Sequence, residues 1–214
     1  SGQQFYTASS GTSHATPAVA GGCALLRQYF INLGFAPPSP AMTKAFLANA
    51  ARHMTGTGAN DTLWSNSQGM GMMDLGKAFD GTARILSDQD AGLKFTATGQ
   101  TRKWTVSIPD PTKPFRVTLA WTDAPGNTVG AAYNNDLDLT VYHGGAVYRG
   151  NVFSGPLSVQ GGSYDPRNNM ESVFLPAGTT GTAVVLVTAK NINSDGVPNE
   201  SPSLEQDFFL VIYN

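Results

Sequence analysis

The chain has a single cysteine in 214 residues, Cys23, so no disulfide can form within it. Cys23 stands in a run of small residues, which reads as a buried structural thiol rather than a reactive one. Histidine is scarce too: His14, His53 and His143 are the only 3. Scattered in this way, and with one cysteine, they offer no ligand spacing of the zinc kind. Charge is thin, at 13% of residues with a formal net charge of −2. No Lys/Arg-rich run occurs, which removes the electrostatic footprint expected of a nucleic-acid or anionic-membrane binder. Nor does any apolar run approach the length of a membrane span.

What the chain has is turn chemistry: 24 Gly and 13 Pro, with many Ser, Thr and Asn. That composition suits a loop-rich, largely β, secreted protein. The length allows two modest domains, each with its own core. To about residue 90 the pattern is helical. One helix is predicted from Thr16 to Phe30, ending before Gly34. A second opens at Ser39 as N-cap with Pro40 at the first helical position and runs through Ala51, with Met42, Phe46, Leu47 and Ala50 at helical spacing. Beyond about Asp90 the period becomes two. Strands are predicted over residues 93–98, 103–108, 115–121, 136–142, 146–149, 171–175, 182–189 and 208–213, separated by Pro, Gly and Asn clusters. About eight short strands without a helix between them point to a β-sandwich or jelly roll.

The stretch from Gly11 through Ser13, His14 and Pro17 to Gly21 carries the chemistry. Gly11 permits a tight turn, and Pro17 sits near a helix start, where its fixed φ costs little. A serine at a helix entry has unpaired backbone N–H groups beside it, and these with the helix dipole can stabilise an oxyanion. Gly-Thr-Ser alone would also serve as an ordinary capped helix start. The whole stretch, with Ala15, Ala18, Ala20, Gly21 and Gly22 as a small-residue helix, resembles the nucleophile motif of the subtilisin-like serine proteases. The resemblance implies that Ser13 is the catalytic serine; His14 stands where that family usually has methionine. Gly69-Met70-Gly71-Met72-Met73-Asp74 resembles the segment closing the catalytic domain in many subtilases, whose aspartate caps a last short helix. Phe115 to Gly126, Asn135 to Leu139 and Asp165 to Glu171 resemble the bacterial alkaline subtilases that carry a C-terminal β-sandwich. The implied fold is an α/β fragment, the helical C-terminal portion of a subtilisin-like peptidase domain over residues 1–90. An all-β jelly-roll or β-sandwich domain follows over 91–214.

A serine nucleophile needs a base, and the base needs an orienting carboxylate. In the subtilisin order both precede the serine, yet no Asp or His precedes Ser13 here. His14 adjoins the serine and points about 100° away on a helix; His53 follows a helix without a matching motif, and His143 follows a strand. The resemblance therefore implies a secreted serine endopeptidase acting on protein or peptide substrates, with Asp, His and the oxyanion Asn in a missing N-terminal part. The chain alone should be inactive. A signal peptide is not visible, as expected of a chain beginning inside a domain. The alternative is a non-catalytic sandwich module that binds carbohydrate, a cell surface or protein, with Tyr133, Tyr142, Tyr148 and Tyr164 as the aromatics to inspect.

In Asp136-Leu137-Asp138-Leu139-Thr140-Val141, strand geometry sends the apolar residues to one face and both aspartates to the other. Asp165, Asn168, Asn169 and Glu171 add hard oxygen donors within one Pro-containing loop, a set suited to structural Ca2+. A solvated strand face beside an Asx-turn is the alternative, and no EF-hand spacing is present. The resembling subtilases commonly carry structural calcium.

Overall fold

The computed structural model describes residues 2, 8–200, 202 and 204–214. Among these the order is α1 (Thr12–Asn32), α2 (Pro40–Ala50), α3 (Leu75–Ala78), β1 (Arg84–Ser87), β2 (Thr101–Ile108), β3 (Phe115–Ala120), β4 (Asp136–His143), β5 (Ala146–Ser154), β6 (Leu157–Gln160), β7 (Met170–Leu175), β8 (Gly181–Asn191) and β9 (Phe209–Tyr213). The fold is mostly β with few helices. Two compact units divide between Pro37 and Pro38.

In the first unit α1 starts at Thr12, ahead of the expected Thr16. Gly11 is the cause: its φ of 146° is a conformation other residues avoid, and it turns the chain directly into the helix. Pro17 thus lies inside α1, where it has no N–H to donate to the Ser13 carbonyl four residues back. At the other end Gly34 adopts a φ of 80°. The Phe35 N–H then donates to the Phe30 carbonyl and the Gly34 N–H to that of Ile31, both at 3.0 Å. Phe30 and Phe35 complete this Schellman cap with rings 5.9 Å apart. Val19, Leu25, Ile31, Leu33 and Phe35 are exposed.

In the second unit Ser39 Oγ accepts from the Met42 N–H at 3.0 Å, the cap expected for α2, and Asp74 Oδ1 accepts from the Lys77 N–H at the start of α3. Two antiparallel sheets follow, one in the order β1-β9-β3-β7 and the other β2-β8-β4-β5-β6. Phe115, Val117 and Leu119 of β3, Val173 and Leu175 of β7, and Leu210 and Ile212 of β9 share one core with Leu137, Leu139 and Val141 of β4 and with Ala183, Val185, Val187 and Ala189 of β8. Alternate residues of β3 and β9 face the other way, toward α2, while Phe174 of β7 meets Phe153 of β5 and Ser158 of β6. Consequently β3, β7 and β9 are buried on both faces and read as unbroken buried runs.

This covering explains why the units do not divide at the change of periodicity near Asp90. α2 lies on β3 and β9, and β1 pairs with β9, Arg84 opposite Tyr213. The strand expected over 93–98 reduces to an isolated bridge between Phe95 and Gln206. Strands β1 and β6, four residues each, are too short to show a period and were not anticipated.

Candidate functional site

Ser13 stands in the first turn of α1, exposed, with no hydrogen-bond partner for its hydroxyl among the described residues. The His14 and Ala15 N–H groups both donate to the Gly11 carbonyl, at 3.0 and 3.1 Å. Among the described residues no side chain caps the helix, so the Thr12 and Ser13 N–H groups at its positive end stay available to a negative charge. Thr16 Oγ1 turns back to the Thr12 carbonyl at 2.9 Å. His14 Nε2 is engaged by Ser9 Oγ at 2.8 Å, away from Ser13. His53 Nε2 meets the Asp61 carbonyl at 2.7 Å and His143 Nε2 the Thr180 carbonyl at 2.8 Å. Each imidazole is thus held by a hydroxyl or a backbone carbonyl, and none shows the carboxylate partner a catalytic base requires.

The acidic residues divide differently. β4 sends Leu137 and Leu139 into the core and Asp136 and Asp138 to the opposite face, yet Asp138 is only 3% exposed. The segment after β6 lies against that face: Tyr164 Oη meets Thr140 Oγ1 at 3.2 Å, and the Arg149 guanidinium stacks on the Tyr164 ring while donating to the Gly162 carbonyl. Glu171, on β7, points inward with Val173 and Leu175 and is fully buried. Its Oε2 accepts from the Leu139 N–H at 2.6 Å, where β5 has left the side of β4. Gly150 makes room for it, since a Cβ there would lie 2.2 Å from Oε2.

Four buried carboxylate oxygens have no partner among the described residues: Asp88 Oδ1, near α2, and Asp136 Oδ1, Asp138 Oδ1 and Glu171 Oε1 in this part of the fold. Burial raises the pKa of Asp136, with the Asp165 charge adding to it. Burial, then Asp136, pushes Asp138 up to about 6, and burial lifts Glu171 well above the usual carboxylate range. Asp165 is the exception. Burial would raise it, but Asn168 and Asn151 amides at 2.6 and 2.8 Å, with the Arg167 and Asn168 N–H groups, hold it below its ordinary value. Asn169 faces elsewhere, accepting from Lys44 Nζ at 2.9 Å and donating to the Trp121 carbonyl at 3.0 Å.

Unpartnered, mutually repelling oxygens in a buried site are stabilised by a proton or by a hard cation. The donors present are all oxygens, which fits calcium and not zinc. As arranged, no three His, Cys, Asp or Glu side chains among the described residues converge into a ready ion cage. Sequence reasoning did not single out Gly150 or Asn151. The signal was a Gly-Asn dipeptide inside a strand pattern: Asn151 has a φ of 60°, and its amide donates to Asp165 and to the Met170 carbonyl.

Residues 1–71 match a model of the subtilase family, Peptidase S8. That is about a third of the chain, and it makes this region subtilase-like. No curated protein matches. Among solved structures, the crystal structure of a protein from Sulfurospirillum deleyianum is similar at 7% identity over 62% of this chain and 98% of that one, with a TM-score of 0.31, too slight a likeness to bear on the fold. No helix among the described residues is long and apolar enough to cross a membrane.

Proposed function

We propose that this chain carries the nucleophile of a secreted subtilisin-like serine endopeptidase. Residues 1–90 would be the C-terminal portion of its peptidase domain, and 91–214 a jelly-roll domain that stabilises it. The observation that carries the reading is the free Ser13 hydroxyl beside unpaired N–H groups at the start of α1, inside the stretch that matches the subtilase family. Ser13 Oγ would attack the scissile carbonyl of a peptide substrate and lose its proton to a base, and the oxyanion would lie toward the helix start. No histidine described here serves as that base. Histidine, aspartate and the oxyanion asparagine would come from outside these residues, and they would cover the exposed Val19, Leu25 and Ile31. For the binding-module alternative, Tyr164 is already held by Thr140 and Arg149, which leaves Tyr142, exposed on the same face of β4, as the aromatic to test.

A fluorophosphonate probe tests the reading. Expressed with its natural upstream sequence, the protein should be labelled at Ser13 and Ser13→Ala should not. The 214-residue chain alone should stay unlabelled. Loss of base and orienter costs roughly 10⁶ in turnover, the figure given for subtilisin itself. Rapid stoichiometric labelling of the chain alone would show that a base is present and sink this account.

The reading extends to a structural calcium ion. Asp136, Asp138 and Glu171 would supply the unpartnered oxygens, with Asp165 and Asn168 close by and Asn169 requiring release from Lys44. Bound calcium would neutralise the repulsion among them. An ion held only by the folded state adds about 2.7 kcal/mol at a hundredfold excess over Kd. Melting should therefore rise in millimolar calcium over EDTA, and Asp138→Asn should lose the rise. An equal shift in wild type and variant would remove the assignment.

A further inference from the structure

Tyr213 stands at the centre of a group of cations. Its ladder partners in the four-stranded sheet are Arg84 of β1 on one side and Arg116 of β3 on the other, so all three side chains share the face that α2 covers. The Arg84 guanidinium lies 4.8 Å from the Tyr213 ring centroid, and Lys77 Nζ, reaching in from α3, lies 5.3 Å from the same centroid. Two carboxylates are at hand, Asp74 and Asp80, placed three residues to either side of Lys77 in the chain.

Both carboxylates are engaged elsewhere. Asp74 Oδ1 accepts from the Lys77 N–H at 3.0 Å, and its Oδ2 lies 4.0 Å from Arg52 Nε. Asp80 Oδ1 accepts from the Thr82 N–H at 2.9 Å and from Arg84 Nη2 at 3.2 Å, and its Oδ2 accepts from the Tyr213 hydroxyl at 2.8 Å. Arg84 donates further to the Lys77 and Thr82 carbonyls at 2.7 and 2.9 Å, and Arg116 to the carbonyls at the end of α2. Among the described residues Lys77 Nζ has neither a hydrogen-bond acceptor nor an ion-pair partner. Burial, then the Arg116 charge, lowers its pKa to about 8, although Asp74 and Asp80 act to raise it. Near pH 8 about half of the amine is therefore neutral, about a hundredfold more than an exposed lysine offers. The side chain is only half-buried, so a small molecule from solvent can reach it.

We propose that Lys77 is a site of reversible carboxylation by carbon dioxide, the resulting carbamate being held by the surplus positive charge around Tyr213. The Nζ lone pair forms the bond to carbon, one C=O electron pair moves onto oxygen, and an Nζ proton passes to water. No oxidant, reductant or metal takes part. Before the reaction Lys77, Arg52, Arg84 and Arg116 face two carboxylates; after it three cations face three anions. A neutral acyl group on Nζ would leave the three arginines in excess, so the charge balance favours the anionic product.

Chemical trapping provides the test. The whole chain is equilibrated with isotopically labelled bicarbonate, alkylated with a trialkyloxonium salt to fix any carbamate as its ester, and mapped by peptide mass spectrometry. Near pH 8, label at Lys77 should exceed that at Lys103, exposed on β2, by at least about tenfold. It should exceed the label at Lys44 as well, whose amine is also lowered by burial but donates to Asn169 Oδ1 at 2.9 Å. Near pH 6 the amine is protonated and the label should fade. Because a carbamate held only by the folded state stabilises it, bicarbonate should raise melting over chloride of equal ionic strength. Lys77→Arg keeps the charge without a nucleophilic amine and should lose both the label and the rise. Label at Lys77 no greater than at Lys103 or Lys44 would overturn the proposal. Label without a bicarbonate-dependent rise in the wild type would overturn the hold by the surrounding arginines.

Discussion

Replacing Arg116 should cost more stability than any other single change at the junction of α2 and the sheet. Its side chain rises from β3 and is only 7% exposed. Nη1 donates to the Asn49 carbonyl at 2.6 Å and the Ala51 carbonyl at 2.8 Å. These are end carbonyls of α2, which have no partner within the helix. The guanidinium also stacks 3.8 Å from the Phe174 ring centroid. Among the described residues no carboxylate pairs with it, and burial lowers its pKa to about 10, so it remains charged near neutrality. In Arg116→Met, two buried carbonyls lose their donor at about 1–3 kcal/mol each, and a desolvated cation–π contact of about 2 kcal/mol disappears. Relief from burying a charge returns several kcal/mol. The net expectation is a loss of about 2–4 kcal/mol, with Arg116→Ala worse because it also leaves a cavity. Urea unfolding followed by circular dichroism reads the change, and exchange over residues 40–51 should quicken at the same time. A loss below about 1 kcal/mol, or a loss with unchanged α2 exchange, would show that the guanidinium is not what seats the helix.

Two further changes have defined signs. Burial pushes Asp207 up to about 6, with Lys94 opposing. Because the folded value lies above the unfolded one, its contribution is fully present below about pH 4 and is lost as pH rises through 6. Asp207→Asn should therefore melt higher than wild type at pH 7.5 and lose that advantage near pH 4. The gain, discounted for partial exposure, is about 1 kcal/mol, and an advantage independent of pH would refute it. Gly150→Ala places a Cβ 2.2 Å from Glu171 Oε2 and 2.6 Å from its Cβ. Overpacking there should cost about 1–3 kcal/mol, and Glu171→Ala should recover part of it in the double variant, as a melting cycle would reveal.

The start of the second helix is legible to the residue because Ser39-Pro40 is a local signal, while its end falls at Ala50, one residue short of the expected Ala51; the paired aspartates of β4 follow from period two alone. Glu171 was harder. Its neighbours Asp165, Asn168 and Asn169 suggest a loop oxygen donor, whereas β7 turns it inward, where it meets the Leu139 N–H of β4. Nothing local to Met170-Glu171-Ser172 encodes that covering, which comes from a strand 32 residues earlier. Sequence distance also hides Asn169, whose donor-rich context points to a cation while its oxygen goes to Lys44, 125 residues away. Pro17 suggests a helix entry near Thr16, but Gly11 has already made the turn and α1 begins at Thr12.

Asn151 has a consequence for how copies of this protein meet in concentrated solution. An edge strand as apolar as β7 would ordinarily offer its free N–H and C=O groups to a strand from a neighbouring molecule, the route by which β proteins aggregate. Here Asn151 fills the place of that strand with one amide, and Ser158 Oγ accepts from the Phe174 N–H further along at 2.9 Å. The edge is closed without another ladder. The opposite edge, β1, is only four residues long, as is the β6 edge of the second sheet, and β2 carries Lys103 on its exposed side, so among the described strands recruitment of a neighbouring chain finds no long, flat and uncharged edge on which to begin.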